Sequence, residues 1–188
     1  MNNRASQFII LCEDKLQEVT ISRFLKKGWN INKSLIRSVS YPKGKGSGEK
    51  HVKDRYANEL RALRARSGRT VLIVIIDADD GSVEKHNNEL DISAVNGNIK
   101  PRSDREPVVH IIPKWHIETW LAWLNGAEID ENTSYKPQYE YKNRESETHV
   151  FIDRLADYCK QNKQLENPPD SLKKACDEFN LRLRQLLS

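Results

Sequence analysis

Thr70-Val-Leu-Ile-Val-Ile-Ile76 runs for seven residues without a charge and is the most apolar stretch of the chain. A strand with one wet face alternates apolar and polar residues, and this one does not. It must be covered on both faces, as strands of a parallel sheet flanked by helices are. Phe8-Ile-Ile-Leu-Cys12 has the same character, and Pro107–Ile112 and Ser34–Tyr41 read as further strands. Helical signals fill the gaps. Asp14 with Gln17 makes a capping box, and Gly28 is placed as the stop of the helix that follows. Val52, Tyr56, Leu60 and Leu63 mark one face of a second helix, with Gly68 as its stop. Ser82 caps a third helix running to about Leu90, and Trp115–Asn125 is a fourth, halted by Gly126. Ile129–Ser146 is polar and reads as loop, and its Tyr135, Tyr139 and Tyr141 suit contact with a partner. Two helices, near Thr148–Lys163 and Ser171–Leu187, close the chain.

Strands alternating with helices predict an α/β fold with a largely parallel central sheet and extra C-terminal helices. The 188 residues suit one domain, with a core at about 7–126 and a helical extension at about 147–188. The apolar runs are too short to span a bilayer, and the polar start is no secretory signal, so no membrane association is expected. Cys12, Cys159 and Cys176 are sparse, odd in number and without metal-ligand spacing. That excludes a zinc-ribbon class and fits a reducing, cytoplasmic setting. Cys12, inside a strand, is expected to be buried and inert.

Ligands of open α/β sheets bind at the carboxyl ends of the strands. Glu13 follows the first strand directly, and Asp77 and Asp79 follow the most apolar one. If the two strands are neighbours, three carboxylates converge. Clustered carboxylates repel unless a cation joins them, and an all-oxygen set suits Mg²⁺ or Mn²⁺. Such ions stabilise charge on a reacting phosphoryl group. Asp-x-Asp-Asp-Gly is also ordinary turn and capping chemistry, and Glu13 also suits a first helical turn. The joint occurrence at two strand ends favours the metal reading.

Four stretches carry a resemblance. They are Ile9-Ile-Leu-Cys-Glu13 with Glu18, Leu72-Ile-Val-Ile-Ile-Asp77-Ala-Asp79-Asp80, Ile112-Pro-Lys-Trp-His-Ile-Glu118-Thr-Trp-Leu and Asn167-Pro-Pro-Asp-Ser-Leu172. Together they resemble a TOPRIM domain, closest to small stand-alone TOPRIM-type bacterial proteins and to the metal site of the overcoming-lysogenization-defect nucleases. The resemblance implies a TOPRIM/Rossmann-like fold, Glu13 as metal ligand or general acid/base, Asp77 and Asp79 as metal ligands, and Glu118 as a fourth acid. It implies a Mg²⁺- or Mn²⁺-dependent nuclease or related phosphoryl-transfer protein, with a link to phage defence. TOPRIM sequences usually place glycine after the first glutamate; here Asp14 stands there and adds a negative charge. No tyrosine has a recognisable setting for strand transfer, so hydrolysis is the preferred chemistry.

The net charge is +4, but Pro42–Arg69 alone carries nine Lys/Arg against three acids. Its glycine-rich start could lay Lys43, Lys45 and Lys50 along a phosphate backbone. A solvated loop followed by a salt-bridged helix face explains the same charges. The glycine spacing is not that of a P-loop. Lys114 and His116 follow the Pro107–Ile112 strand and could meet the acids, Lys114 neutralising phosphoryl charge and His116 moving a proton or contacting nucleic acid. His116 is otherwise a surface residue at a helix start. Trp115, Trp120 and Trp123 could stack on bases, although Trp120 shares the apolar helix face and suits a core. Nucleic acid is the expected partner, with a protein effector or a second copy of the chain as others. The alternative function is a non-catalytic subunit that binds an effector or nucleic acid without cleaving. A phosphatase or small-nucleotide hydrolase ranks last, because no base or sugar pocket is readable.

Overall fold

The computed structural model describes residues 4–41, 47–66, 69–161 and 166–187. The chain order is β1 (Gln7–Cys12), α1 (Lys15–Trp29), β2 (Ile36–Ser40), α2 (Gly48–Ala65), β3 (Thr70–Ile75), α3 (Val83–Asn96), β4 (Val108–Ile111), α4 (Ile117–Leu124), α5 (His149–Gln161) and α6 (Asp170–Leu187). The four strands form one sheet in the order β2-β1-β3-β4, and every pairing is parallel. The fold is α/β, with six helices around the sheet. No helix among the described residues is long and apolar enough to cross a membrane.

The side chains of β1 and β3 divide between two cores by the period-two rule. Phe8, Ile10, Val71, Ile73 and Ile75 pack with α1, α4, α5 and α6. Ile9, Leu11, Leu72, Val74 and Ile76 pack with α2 and α3. This explains the unbroken apolar runs: neither face is wet. Phe24 and Trp29 of α1 close on Phe179 of α6, with ring centroids 4.8–5.0 Å apart. A disulfide between Cys159 and Cys176 joins α5 to α6, a pairing that the sequence spacing does not signal. Cys12 is buried, and burial pushes its thiol far up, as an inert core cysteine requires.

The boundaries differ from expectation in instructive places. Gly28 lies inside α1, where the helix packs closely on Ala156; a Cβ would meet Ala156 Cβ at 3.2 Å, a tight contact. The left-handed cap is Asn30 instead (φ 54°). The helix α3 runs on to Asn96, and Gly97 donates to Ser93 O. The helix α2 ends at Ala65, and Gly68 lies outside the described residues. Tyr141 is buried in the larger core and Tyr139 packs against it, while Tyr135 accepts a hydrogen bond from Asp130 N. Two of the three tyrosines read as partner contacts therefore serve the protein's own packing. Trp120 is core, and its Nε1 donates to Ser171 Oγ at 2.8 Å, which removes it from any base-stacking surface.

The sheet reverses its direction of growth between β1 and β3. From β1 the chain goes to β2 on one side, and β3 and β4 are laid down on the other. The carboxyl edge at such a switch point is where open α/β sheets form a crevice.

Candidate metal centre at the β1–β3 edge

Leu11 is in register with Val74, so the residues leaving β1 and β3 emerge side by side. Glu13 Oε1 accepts a hydrogen bond from Asp77 N at 2.6 Å. Asp77 is buried, and its Oδ1 accepts from Ile117 N at 3.2 Å, in the first turn of α4. Glu118, one residue further along that turn, is also buried. Asp79 is more exposed, and its Oδ1 lies 3.0 Å from His116 Nε2. The fold thus brings Glu13, Asp77, Asp79, Glu118 and His116 to one edge, although no three of them place ligand atoms within 4.8 Å of one another.

The turn carrying Asp79 is held by backbone. Asp79 and Trp115 exchange both amide–carbonyl hydrogen bonds, at 3.0 and 3.1 Å, and both have positive φ (45° and 60°). Aspartate tolerates the left-handed region; for a tryptophan it is a genuine outlier. This bridge explains why Trp115 and His116 stand outside α4, although the apolar pattern of the sequence runs through them. Residues 112–121 reach the site because Ser171, at the start of α6, accepts from both Lys114 N and Trp120 Nε1. Ser171 Oγ in turn donates to Glu131. The Asn167–Leu172 stretch therefore buttresses the site from behind.

The electrostatics follow from burial. The Glu13 carboxyl is pushed up to about 7, by desolvation first and then by the charges of Asp14, Asp79 and Glu49, against the amide bond from Asp77. Desolvation likewise pushes Glu118 up to about 7. Asp77 is driven well above the ordinary carboxylate range by burial, then by Glu13 and Glu118. His116 is held below its ordinary value by burial and by the charge of Lys136, against the pull of Asp79. The acids hold their protons because desolvation outweighs the positive charge that Lys136 offers Asp77 and Glu118. A divalent cation would add to that charge. Glu13 and Asp77 each spend one oxygen on a backbone amide, and each has a second; the set is all oxygen, which suits Mg²⁺ or Mn²⁺.

Two expectations need correction. Lys114 does not reach the acids: its Nζ donates to Asp80 O (2.9 Å) and Gly81 O (2.6 Å), and so clamps the Asp77–Gly81 turn. The lysine whose charge acts on Asp77, Glu118 and His116 is Lys136. It lies in the polar Ile129–Ser146 segment, where nothing in the local sequence sets it apart. His116 is not an outward-facing phosphate contact either, since Asp79 engages one ring nitrogen and Ser134 Oγ lies 3.4 Å from the other. Asp14, in the place of the expected glycine, is the N-cap of α1 and accepts from Gln17 N. Glu13 N donates to Gln17 Oε1, which fixes the backbone that presents Glu13.

Glycine is required elsewhere, at Gly48 in the first turn of α2. A Cβ there would stand 2.7 Å from Glu13 Cβ. Lys50 is exposed in that turn, while Lys43 and Lys45 lie outside the described residues. Further along α2 the positive charges are largely matched. Lys53 bonds Glu49 and Glu89, Arg55 bonds Glu59, and Arg64 bonds Glu106 with two backbone carbonyls.

Compared with family models, with curated proteins and with solved structures, the chain finds no match.

Proposed function

We propose that this chain is a Mg²⁺- or Mn²⁺-dependent protein of TOPRIM type that hydrolyses nucleic-acid phosphodiesters. The observation that supports the reading best is half-buried Glu13 beside buried Asp77 and Glu118 at the β1–β3 switch point, with the Glu13 and Glu118 carboxyls pushed up to about 7, chiefly by desolvation. Glu13, Asp77 and Asp79 would hold the ion, which supplies charge stabilisation at a phosphoryl group and an activated water. Glu118, whose carboxyl is pushed up to about 7, can give or accept a proton near neutral pH. His116, oriented by Asp79, is a second proton carrier. Lys136 and Lys50 offer positive charge to a polyanion approaching this edge. The test is cleavage of single- and double-stranded DNA and RNA with Mn²⁺. Activity that is lost in Asp77→Ala upholds the assignment, and activity that survives the substitution removes it.

A second reading is favoured by one specific feature. The positive side chains Lys53, Arg55 and Arg64 of α2 are engaged by carboxylates within the protein, which withdraws three of the nine Lys/Arg of Pro42–Arg69 from phosphates. On that reading the chain is a non-catalytic subunit of a larger effector, and its acids hold a cation for structure. Mn²⁺ binding without cleavage of any substrate in the panel selects it.

A further inference from the structure

On the opposite face of the sheet from α4, the helices α2 and α3 bring Glu49, His86 and Glu89 together. One ligand atom of each lies within 4.8 Å of the others. His86 and Glu89 are three apart on α3, so both face α2. His86 is buried, with only 4% of its side chain exposed. Its Nε2 lies 3.2 Å from Ala78 O, and a carbonyl oxygen can only accept, so Nε2 carries the proton. Nδ1 is also buried and has no hydrogen-bond partner, and in the neutral ring it offers a lone pair. Nδ1 points between Glu89 Oε2 (3.3 Å) and Glu49 Oε1 (3.8 Å). His110, the other buried imidazole on this face, has both nitrogens partnered, by Asn87 and Tyr56. An orphaned imidazole nitrogen aimed at two carboxylates is unusual, since buried polar atoms normally find a partner.

The second nitrogen fits the same picture. Imidazoles that bind metals generally donate their other N–H to a carbonyl or carboxylate, which fixes tautomer and ring angle. Ala78 O does this here. Gly81 makes room for it: a Cβ at that position would stand 2.9 Å from His86 Nε2. Lys53 Nζ now sits between the two carboxylates, at 2.6 Å from Glu89 Oε2 and bonded also to Glu49. The place is therefore built for positive charge, and its occupant sits at the end of a flexible stem.

We propose that Glu49, His86 and Glu89 form a second cation site, which takes a transition-series divalent ion of the Zn²⁺ or Co²⁺ kind in exchange for the Lys53 ammonium. One nitrogen and two carboxylates favour such an ion over Mg²⁺ or Ca²⁺, which prefer oxygen alone. The site is separate from the Glu13–Asp77–Asp79 edge but hangs on the same turn, since Ala78 lies between the two aspartates. It stands or falls independently of any nuclease activity.

The probe is Co²⁺, followed by its visible absorption, and Zn²⁺ by calorimetry, on the full chain carrying Asp77→Asn to silence the first edge. One ion should bind per chain. Glu89→Gln and His86→Gln should each weaken binding about tenfold or more. Lys53→Met, which removes the competing ammonium, should tighten it. Glu89 is partly exposed, so Glu89→Gln remains informative even if His86→Gln impairs folding. The proposal is overturned if neither the Asp77→Asn chain nor its Lys53→Met derivative binds Co²⁺ at about 1 mM, a very weak affinity for such a site. It is equally overturned if Glu89→Gln leaves binding unchanged.

Discussion

Two groups of acids in this fold are treated in opposite ways. On the α2–α3 side, Glu106, Glu89 and Glu59 have been given partners from the chain itself. Hydrogen bonding to Arg64 holds Glu106 below its ordinary range, and Lys53 does the same for Glu89 in spite of burial. At the β1–β3 edge the reverse holds: Glu13 is half-buried, Asp77 and Glu118 are buried, and all three are pushed up. Both regions are built from the same residue types, so composition does not separate them. What separates them is whether a cation of the protein lies within hydrogen-bond reach. Acids matched by Lys or Arg already hold a positive charge, which an ion must displace to bind; acids without such a partner are open to one directly.

The sharpest break in this contrast is Asp77→Ala. Metal charge stabilisation is worth several kcal/mol, so Mn²⁺-dependent cleavage should fall by about three orders of magnitude in a turnover assay. Next comes the pH dependence of stability. Glu13 and Glu118 titrate near 7 in the folded chain, against 4.5 ordinarily. Between those values the folded state holds protons that the unfolded state has lost, so stability should fall as pH rises from about 4.5 through 7. In chelator the loss should be on the order of 5 kcal/mol for the two groups together, less whatever solvent screening removes, read from denaturant melts at pH 5 and pH 8, and Mn²⁺ should restore it at pH 8. Gly48→Ala should cost about 1–2 kcal/mol, because it forces α2 away from Glu13, and it should weaken Mn²⁺ binding as well. The smallest effect is expected on the matched side. Arg55→Ala removes one of two exposed arginines from Glu59 and should cost about 0.5 kcal/mol or less, with no change in Mn²⁺ affinity.

Much of the β1–β3 edge is legible in the sequence because it depends on short-range pattern. Two apolar runs announce strands buried on both faces, and the residue types directly after them decide what the carboxyl edge carries. The Asp14–Gln17 and Ser82 caps are local too, and both helices start where their caps stand. What the sequence hides is set by distant contacts. Lys136 gains its role only from where a long irregular segment lies, and Lys114 loses its expected one because two carbonyls of the Asp77–Gly81 turn capture it. Trp115 follows the helical pattern yet leaves the helix to bridge Asp79. The Glu49–His86–Glu89 cluster has one local signal, the i, i+3 spacing of His86 and Glu89; the third member comes from α2, across the packing of two helices. Gly28 resembles a helix stop until Ala156 is placed against it.

Mn²⁺ calorimetry on the otherwise wild-type chain and on Asp77→Ala/Asp79→Ala tests the central claim most directly. Both proteins should carry Glu89→Gln, so that the α2–α3 cluster does not contribute. The account predicts binding in the first protein and its loss in the second. Equal binding in the two proteins would contradict it, and so would no binding in either one with and without nucleic acid present.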